Sequence, residues 1–273
     1  MARGAPLEPE RADRLRTAVR ELGSAVIAYS GGVDSALVAA VAQRELGDRA
    51  LAVTGVSPSV ASGEVEAAMA LAARIGIRHE TVPTSEFENP AYRANPVNRC
   101  FYCKDELYGR LSALARERGY ACVVDGSNAD DGATPLDVRP GRGAAVELGV
   151  RSPLAESGMT KLDVRALAHE FGLPVWDKPA TPCLSSRVPH GTAIEVDDLR
   201  RIDLAERYLR ASGFSVVRVR HFGKTARVEV PLEDLDRLRA RSANVERALR
   251  DAGYARVEID PRGYRTGSLN EKP

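Results

Sequence analysis

The segment Ser30-Gly31-Gly32-Val33-Asp34-Ser35 lies between an apolar run that ends at Tyr29 and a second that extends from Ala36 to Ala42. A glycine-rich turn joining a buried strand to a helix is a cradle for phosphate. Gly31 and Gly32 let the backbone approach an anion with no Cβ in the way, and the amides of the helix start present the positive end of the dipole. Ser30 and Ser35 add hydroxyl donors. The Walker pattern needs a Lys after its second glycine and the dinucleotide fingerprint needs G-x-G-x-x-G, and this segment fits neither. Asp34 sets the expected chemistry: a carboxylate beside phosphates is repelled unless a divalent cation lies between them. Mg²⁺ bridging Asp34 and a pyrophosphate is therefore expected, and with it the splitting of ATP.

Thiols are the second chemical signal. The chain has four cysteines, Cys100, Cys103, Cys122 and Cys183. The Cys-x-x-Cys spacing at 100 and 103 lets two thiolates face one ion, so it points to metal, cluster or redox chemistry rather than to a disulfide framework. Cys122 sits in the apolar run Ala121-Cys122-Val123-Val124 and reads as core. Cys183 lies in a proline-bracketed loop with Ser185, Ser186 and Arg187 close by, which favours an accessible thiolate. Three thiolates are one short of a closed zinc site. They suit a [4Fe-4S] cluster with one open iron, while unliganded cysteines remain the alternative.

The elements that must hold these residues alternate over the first two thirds of the chain. Strands are expected at 24–29, 50–55, 78–82 and 121–125, and helices at 10–22, 35–46, 61–75, 103–118 and 160–171. That order predicts an α/β fold, a parallel sheet with helices on both faces and the cradle at the carboxyl end of the first strand. After Gly191 the pattern changes. A helix over 195–212, two strands around 216–220 and 226–230 with period-two alternation, a long helix over 232–251 and a strand at 256–259 make a small α+β unit with a half-exposed antiparallel sheet. The expected domains are 1–190, carrying the nucleotide and cysteine chemistry, and 191–273, suited to substrate-phosphate binding and to the assembly of a homo-oligomer.

Composition sets outer bounds. The chain has 273 residues, 44% of them hydrophobic and 28% charged, as in an ordinary globular protein of one large or two modest domains. No apolar run reaches the length of a membrane span, and the start Met-Ala-Arg-Gly-Ala-Pro lacks the core of a signal peptide, so a cytoplasmic location is expected. A net charge of +1 gives no global argument for nucleic acid. The basic residues are unevenly placed all the same, with Arg200, Arg201, Arg207, Arg210, Arg218, Arg220, Lys224 and Arg227 clustered in one stretch. This cluster is read either as a solvated face or as a source of phosphate ligands.

Ser-Gly-Gly-x-Asp-Ser after a first strand resembles the PP-loop ATP pyrophosphatases, which attach AMP to a substrate oxygen and release pyrophosphate. The resemblance sharpens with Asn98-Arg99-Cys100-Phe101-Tyr102-Cys103-Lys104, with Asp125-Gly126-Ser127-Asn128-Ala129-Asp130-Asp131, with the loop 178–191 and with Gly263-Tyr264-Arg265-Thr266-Gly267-Ser268-Leu269-Asn270. Together these are similar to the LarE family over nearly the whole chain. The resemblance implies an ATP-dependent sulfur transferase that converts pyridinium-3,5-biscarboxylic acid mononucleotide to its bis-thiocarboxylate for the nickel-pincer cofactor. In one branch of the family a cysteine of the late loop gives up its own sulfur; in the other, three cysteines hold a [4Fe-4S] cluster that carries an extra sulfide. Cys100, Cys103 and Cys183 together resemble the cluster branch, which implies a separate sulfide source.

Further roles are expected at single positions. Gly126 and Asn128, in a Gly-x-Asn after a strand, suit close contact with the nucleotide, with a simple Asx turn as the alternative. Asp130 and Asp131 are candidates for Mg²⁺ or for helix capping. Ser57 is placed to meet adenine, and Trp176 reads as packing. Arg187, Arg218 and Arg220 are candidates for a bidentate clamp on the substrate phosphate, or else surface charges. The competing reading is a PP-loop tRNA thiolase with a three-cysteine cluster, which would adenylate a base carbonyl. A zinc-stabilised nucleotide-binding assembly protein is a third.

Overall fold

The computed structural model describes residues 9–132 and 141–265. In chain order the elements are α1 Pro9–Glu21, β1 Ala25–Ala28, α2 Val33–Leu46, β2 Ala50–Val56, α3 Glu64–Ile75, β3 Arg78–Pro83, α4 Pro90–Arg93, α5 Arg99–Glu117 and β4 Cys122–Val124. They continue as α6 Gly141–Glu147, α7 Pro153–Glu156, α8 Lys161–Glu170, α9 Val196–Ala211, β5 Arg218–Phe222, β6 Thr225–Glu229, α10 Leu235–Ala240, α11 Ser242–Asp251 and β7 Arg256–Ile259. The chain forms two compact units. One comprises Met1–Ser57, Gly63–Glu86 and Asn98–Thr181; the other comprises Pro58–Ser62, Phe87–Val97 and Pro182–Pro273.

The first unit is built on a parallel sheet in the order β3-β2-β1-β4. Strands β1, β2 and β4 are short and largely apolar, unlike the polar edge strand β3, and successive side chains go to opposite faces. Ala25 and Ile27 of β1 join Ala50 and Ala52 of β2 in a core with α1, α2, α3 and α8. Val26 and Ala28 join Leu51 and Val53 in a second core with Tyr108 and Leu111 of α5 and Ala144 of α6. Burial on both faces explains why β1, β2 and β4 read as apolar runs. Cys122, the first residue of β4, packs partly buried against the first of these cores, and burial pushes its thiol up.

Strand order reverses at β1, whose neighbours are β2 on one side and β4 on the other. Loops leaving β1 and β4 diverge there and open a crevice at the carboxyl ends of the strands. Two glycines let the backbone close in. Gly31 has φ +70°, and a Cβ there would lie 3.0 Å from Cβ of Ala68 in α3. At Gly126, just past β4, a Cβ would lie 2.8 Å from the backbone nitrogen of Ser35 in α2.

The second unit holds the sheet β5-β6-β7. Strands β5 and β6 form the expected antiparallel hairpin, but β7 pairs with β6 in parallel, so the sheet is mixed. Nor is it half-exposed at β5, where Arg218, Val219, Arg220 and His221 are all buried. The single helix expected over 232–251 is two helices, α10 and α11. The chain leaves helical geometry at Arg241, with φ −108° and ψ 10°, and the Arg241 guanidinium donates to the Ser212 carbonyl at 2.8 Å. Leu235 and Leu238 of α10 and Val245 and Leu249 of α11 thereby all reach one core with Ala205, Leu209 and Phe214. No described helix is long and apolar enough to cross a membrane.

Substitution of Gly126 by Ala tests the close approach of β4 to the helix start. The added methyl must displace α2 backbone, and an expected loss of about 1–3 kcal/mol in unfolding free energy should appear in urea denaturation, together with weakened nucleotide binding.

Candidate active site

In the first unit the cradle is braced by its own serines. Oγ of Ser30 and Oγ of Ser35 lie 3.1 Å apart, Ser30 N donates to Ser35 Oγ at 3.2 Å, and Ser35 Oγ donates to the Gly32 carbonyl at 3.2 Å. Gly32 is the N-cap of α2 and brings no side chain to cap it. The amides of the first turn of this long helix therefore face the loop without a capping oxygen, which is the arrangement that binds anions.

Asp34 is the second residue of α2, and two groups hold its carboxylate. Nδ2 of Asn128 donates to Oδ1 at 3.1 Å, and the ammonium of Lys161, the first residue of α8, is ion-paired with Oδ2. Asn128 is buried and its own carbonyl oxygen accepts from Asp130 N at 3.0 Å, so the Asx turn exists and aims the amide at Asp34. Gly126 packs on the backbone of Asp34 and Ser35. Asp130 accepts the backbone amide of Lys161 at 2.7 Å, and Asp131 accepts that of Asn128 at 3.1 Å. Both aspartates thus tie the loop to the starts of its own turn and of α8. Ser57, at the end of β2, donates to Glu86 Oε1 at 2.5 Å.

Helix α5 begins at Arg99, earlier than the spacing suggested, which puts Cys100 and Cys103 one turn apart on its first turns. Residues three apart share a helix face. Cys100 is exposed and Cys103 half-buried. Next to them, Lys104 lies over the Tyr108 ring at 4.9 Å. Tyr108 Oη donates to Asp125 at 2.7 Å, and Asp125 also accepts from Ser127 N, Ser127 Oγ and Ser152 Oγ at 3.0, 2.8 and 2.7 Å. Burial opposes the charge on Lys104, but Tyr108 and Asp125 outweigh it and push its pKa up to about 12. Burial likewise raises Asp125, yet Lys104 and the hydrogen-bond donors hold it below the ordinary carboxylate range. This polar cluster joins the cysteine-bearing helix to the end of β4.

In the second unit Cys183 is half-buried and precedes a short 3-10 turn, Leu184–Arg187. Its carbonyl accepts from Ser186 N at 3.0 Å, Ser186 Oγ at 2.7 Å and Arg187 Nη1 at 2.8 Å. Leu184 N donates to the Ser59 carbonyl at 2.8 Å, and Ser185 Oγ meets Tyr92 Oη at 2.8 Å. The thiol thus sits on a backbone fastened from several sides.

The arginines expected to clamp the substrate phosphate, or else to be surface charges, are buried. Arg187 is fully buried and forms a two-point pair with Glu206 at 2.8 and 2.9 Å. Burial pushes the Glu206 carboxyl up, while Arg187, Arg210 and the Val219 amide outweigh it and hold the carboxyl low. Arg220 pairs with Glu229 at 2.8 Å and donates to the Ser186 carbonyl at 3.1 Å. Burial lowers the pKa of Arg218, whose guanidinium lies 5.2 Å from the Tyr264 ring centre. Trp176 packs only in part: it is 40% exposed, with its ring centre 4.8 Å from that of His169 in an edge-on arrangement. Residues 266–270 of the C-terminal motif lie outside the described residues.

A family profile described as NAD synthase matches residues 9–102, which include the cradle. An uncharacterised protein of Synechocystis sp. is 48% identical over 94% of this chain and 96% of its own length. The pyridinium-3,5-bisthiocarboxylic acid mononucleotide synthase of Lactiplantibacillus plantarum, a LarE protein, is 36% identical over 94% of this chain and 92% of its own. The chain belongs to the LarE family. A tRNA-specific 2-thiouridylase of Azorhizobium caulinodans is 30% identical over 66% of this chain but only 55% of that protein.

Lys161, Lys104 and Glu206 are the additions that the fold makes to the residues of this LarE chain picked out by spacing. Lys104 adjoins Cys103, and Lys161 follows Thr160 of a Thr-x-x-Asp capping box, but neither position reveals its partner. Among the described residues no group of three or more His, Cys, Asp or Glu side chains is arranged to hold a metal ion.

The cluster around Asp125 gives a pH signature. Its native carboxyl lies below the unfolded value, so its stabilisation is complete above about pH 4 and is lost as pH falls through the native value. For Lys104 the native value is the higher one, so its stabilisation is complete below about pH 10 and lost as pH rises through about 12. Asp125→Asn should flatten the acid limb of stability against pH, and Lys104→Met should cost about 1–3 kcal/mol at pH 7, both read by urea unfolding.

Proposed function

We propose that this chain is an ATP-dependent sulfur transferase that acts on pyridinium-3,5-biscarboxylic acid mononucleotide and converts its carboxylates to thiocarboxylates. The observation that carries the proposal is the uncapped start of α2 with Asp34 held at its mouth, in a chain that matches a bisthiocarboxylic acid mononucleotide synthase along almost its whole length. A carboxylate is a poor acyl donor because its leaving group would be oxide. Attack of a carboxylate oxygen on the α-phosphorus of ATP expels pyrophosphate and leaves an acyl adenylate, whose leaving group is AMP. A sulfur nucleophile then adds to the carbonyl carbon, AMP departs with the C–O electron pair, and the thiocarboxylate remains.

This chain's own groups serve the first step. Amides of the first turn of α2, with Ser30 and Ser35, bind the pyrophosphate portion, and Asp34 would hold Mg²⁺, which supplies charge neutralisation. Gly126 and Asn128 keep the wall of the cradle close and oriented. For the second step the donor set is Cys100, Cys103 and Cys183, whose thiolate chemistry fits a [4Fe-4S] cluster able to deliver sulfide. Arg218 and Arg220 are the proposed contacts for the substrate phosphate, while Arg187 fixes the Cys183 turn.

The tRNA-thiolase reading draws on the 2-thiouridylase likeness, but that likeness covers only part of either chain. A steep loss of tRNA binding with salt would support it.

Anaerobic iron-sulfide reconstitution of the wild type and Cys183→Ala, followed by iron analysis and a turnover assay with ATP and the dicarboxylate nucleotide, tests the proposal. The expected result is cluster assembly with more than one thiolation per chain in the wild type, both lost in the variant. Iron-free protein that makes at most one thiolation and loses the mass of H₂S at Cys183 would establish sacrificial donation instead.

A further inference from the structure

The last peptide before the cradle is held at both ends. Its carbonyl, on Tyr29, accepts from Thr54 Oγ1 of β2 at 2.8 Å, and its amide, on Ser30, donates to Ser35 Oγ of α2 at 3.2 Å. A peptide group is planar, so these two bonds fix its rotation and with it the direction in which the chain enters Gly31 and Gly32. The Tyr29 amide adds a third tie, donating to the Val53 carbonyl at 2.9 Å. Tyr29 and Thr54 are both buried, so water does not compete for the bond between them.

Thr54 is itself braced. Its Oγ1 lies 2.8 Å from Nε2 of His79, on the edge strand β3. A threonine hydroxyl has one hydrogen and a carbonyl can only accept, so that hydrogen goes to Tyr29 and the contact with His79 runs the other way, from Nε2–H to Oγ1. Burial pushes His79 below the ordinary imidazole value and outweighs the opposing Glu80. At neutral pH the ring therefore carries a single proton, and this geometry places it on Nε2. The His79 ring also meets that of Tyr29 edge-on, with centres 5.6 Å apart. The relay thus crosses from β3 through β2 to the end of β1, and it stops at the residue next to the cradle.

We propose that Thr54, oriented by His79, is a positioning residue for the phosphate cradle, setting the plane of the Tyr29–Ser30 peptide so that the loop is formed before an anion arrives. Being buried, Thr54 acts through the Tyr29 carbonyl rather than on the ligand. Forming the loop in advance matters because a loop ordered only on binding subtracts that cost from affinity. The inference rests on the ATP reading of the cradle given above.

Calorimetric titration of pyrophosphate, and of ATP with Mg²⁺, into the full chain tests the role, with urea unfolding to check each variant. Thr54→Val keeps the side-chain shape and removes the hydroxyl. It should bind both probes about 5- to 20-fold more weakly, while Thr54→Ser should stay within about 2-fold of the wild type. His79→Leu removes the brace and leaves the hydroxyl, and a loss of about 2- to 5-fold is expected. Nitrogen NMR of the wild-type imidazole should show His79 protonated at Nε2 and not at Nδ1. Wild-type affinity in folded Thr54→Val, or an equal loss in Thr54→Ser, would overturn the positioning role and leave the cradle reading standing. Should Thr54→Val fail to fold, wild-type affinity in His79→Leu would overturn it instead. A proton on Nδ1 would overturn the direction of the relay. If the wild type binds neither probe, the cradle reading falls and this inference falls with it.

Discussion

Everything at the candidate nucleotide site depends on how near the end of β4 comes to the start of α2. Backbone at Gly126 runs so close to Ser35 that one methyl group cannot fit between them. That approach brings the loop after β4 over the cradle, and only then can Asn128 reach Asp34 from a residue 94 positions away. It also sets where α8 begins, because Asp130 of the same loop receives the first amide of that helix. The reversal of strand order at β1 leaves the crevice, and the missing side chain at 126 sets its width.

Charge is handled in the same way in both units. Among the described residues, the buried Arg187, Glu206 and Asp125 are each placed against several partners, as desolvation demands. Arg187 and Glu206 share two contacts, and Glu206 also takes a strand amide. Asp125 collects a phenol, two hydroxyls and an amide. Such clusters add less stability than apolar packing would, but they fix geometry, and in each unit one of them adjoins a cysteine. Lys104 follows Cys103 along α5, and Arg187 grips the carbonyl of Cys183.

The sequence was most readable where a single local signal decided the structure. The apolar run before Ser30 and the paired glycines place β1, the turn and α2 because strand, cradle and helix start are all local. Reading weakened where the deciding partner is remote. Alternation around Arg218 and Arg220 suggested an exposed face, yet both side chains are buried: Arg220 meets Glu229 across the hairpin and the Ser186 carbonyl, and Arg218 lies beside the Tyr264 ring. The break at Arg241 has neither glycine nor proline to mark it, and its guanidinium finds a carbonyl 29 residues earlier. Lys161 and Asp34 are 127 residues apart, so composition and spacing could nominate Asp34 but not its counter-ion.

The second unit is assembled from three separate stretches of chain, two of them short and encoded among elements of the first. Tyr92 and Asn95, on the 87–97 stretch, are completely buried by residues that come about ninety positions later: Tyr92 meets Ser185, and Asn95 Nδ2 reaches the carbonyls of Val188, Pro189 and Thr192. During synthesis these two side chains leave the ribosome long before their partners. The 182–273 stretch, cloned alone, would lack the pieces that fill its interior. The smallest continuous piece that holds all of the second unit runs from 58 to 273, most of the chain, and the order in which it is made is also an order in which it waits.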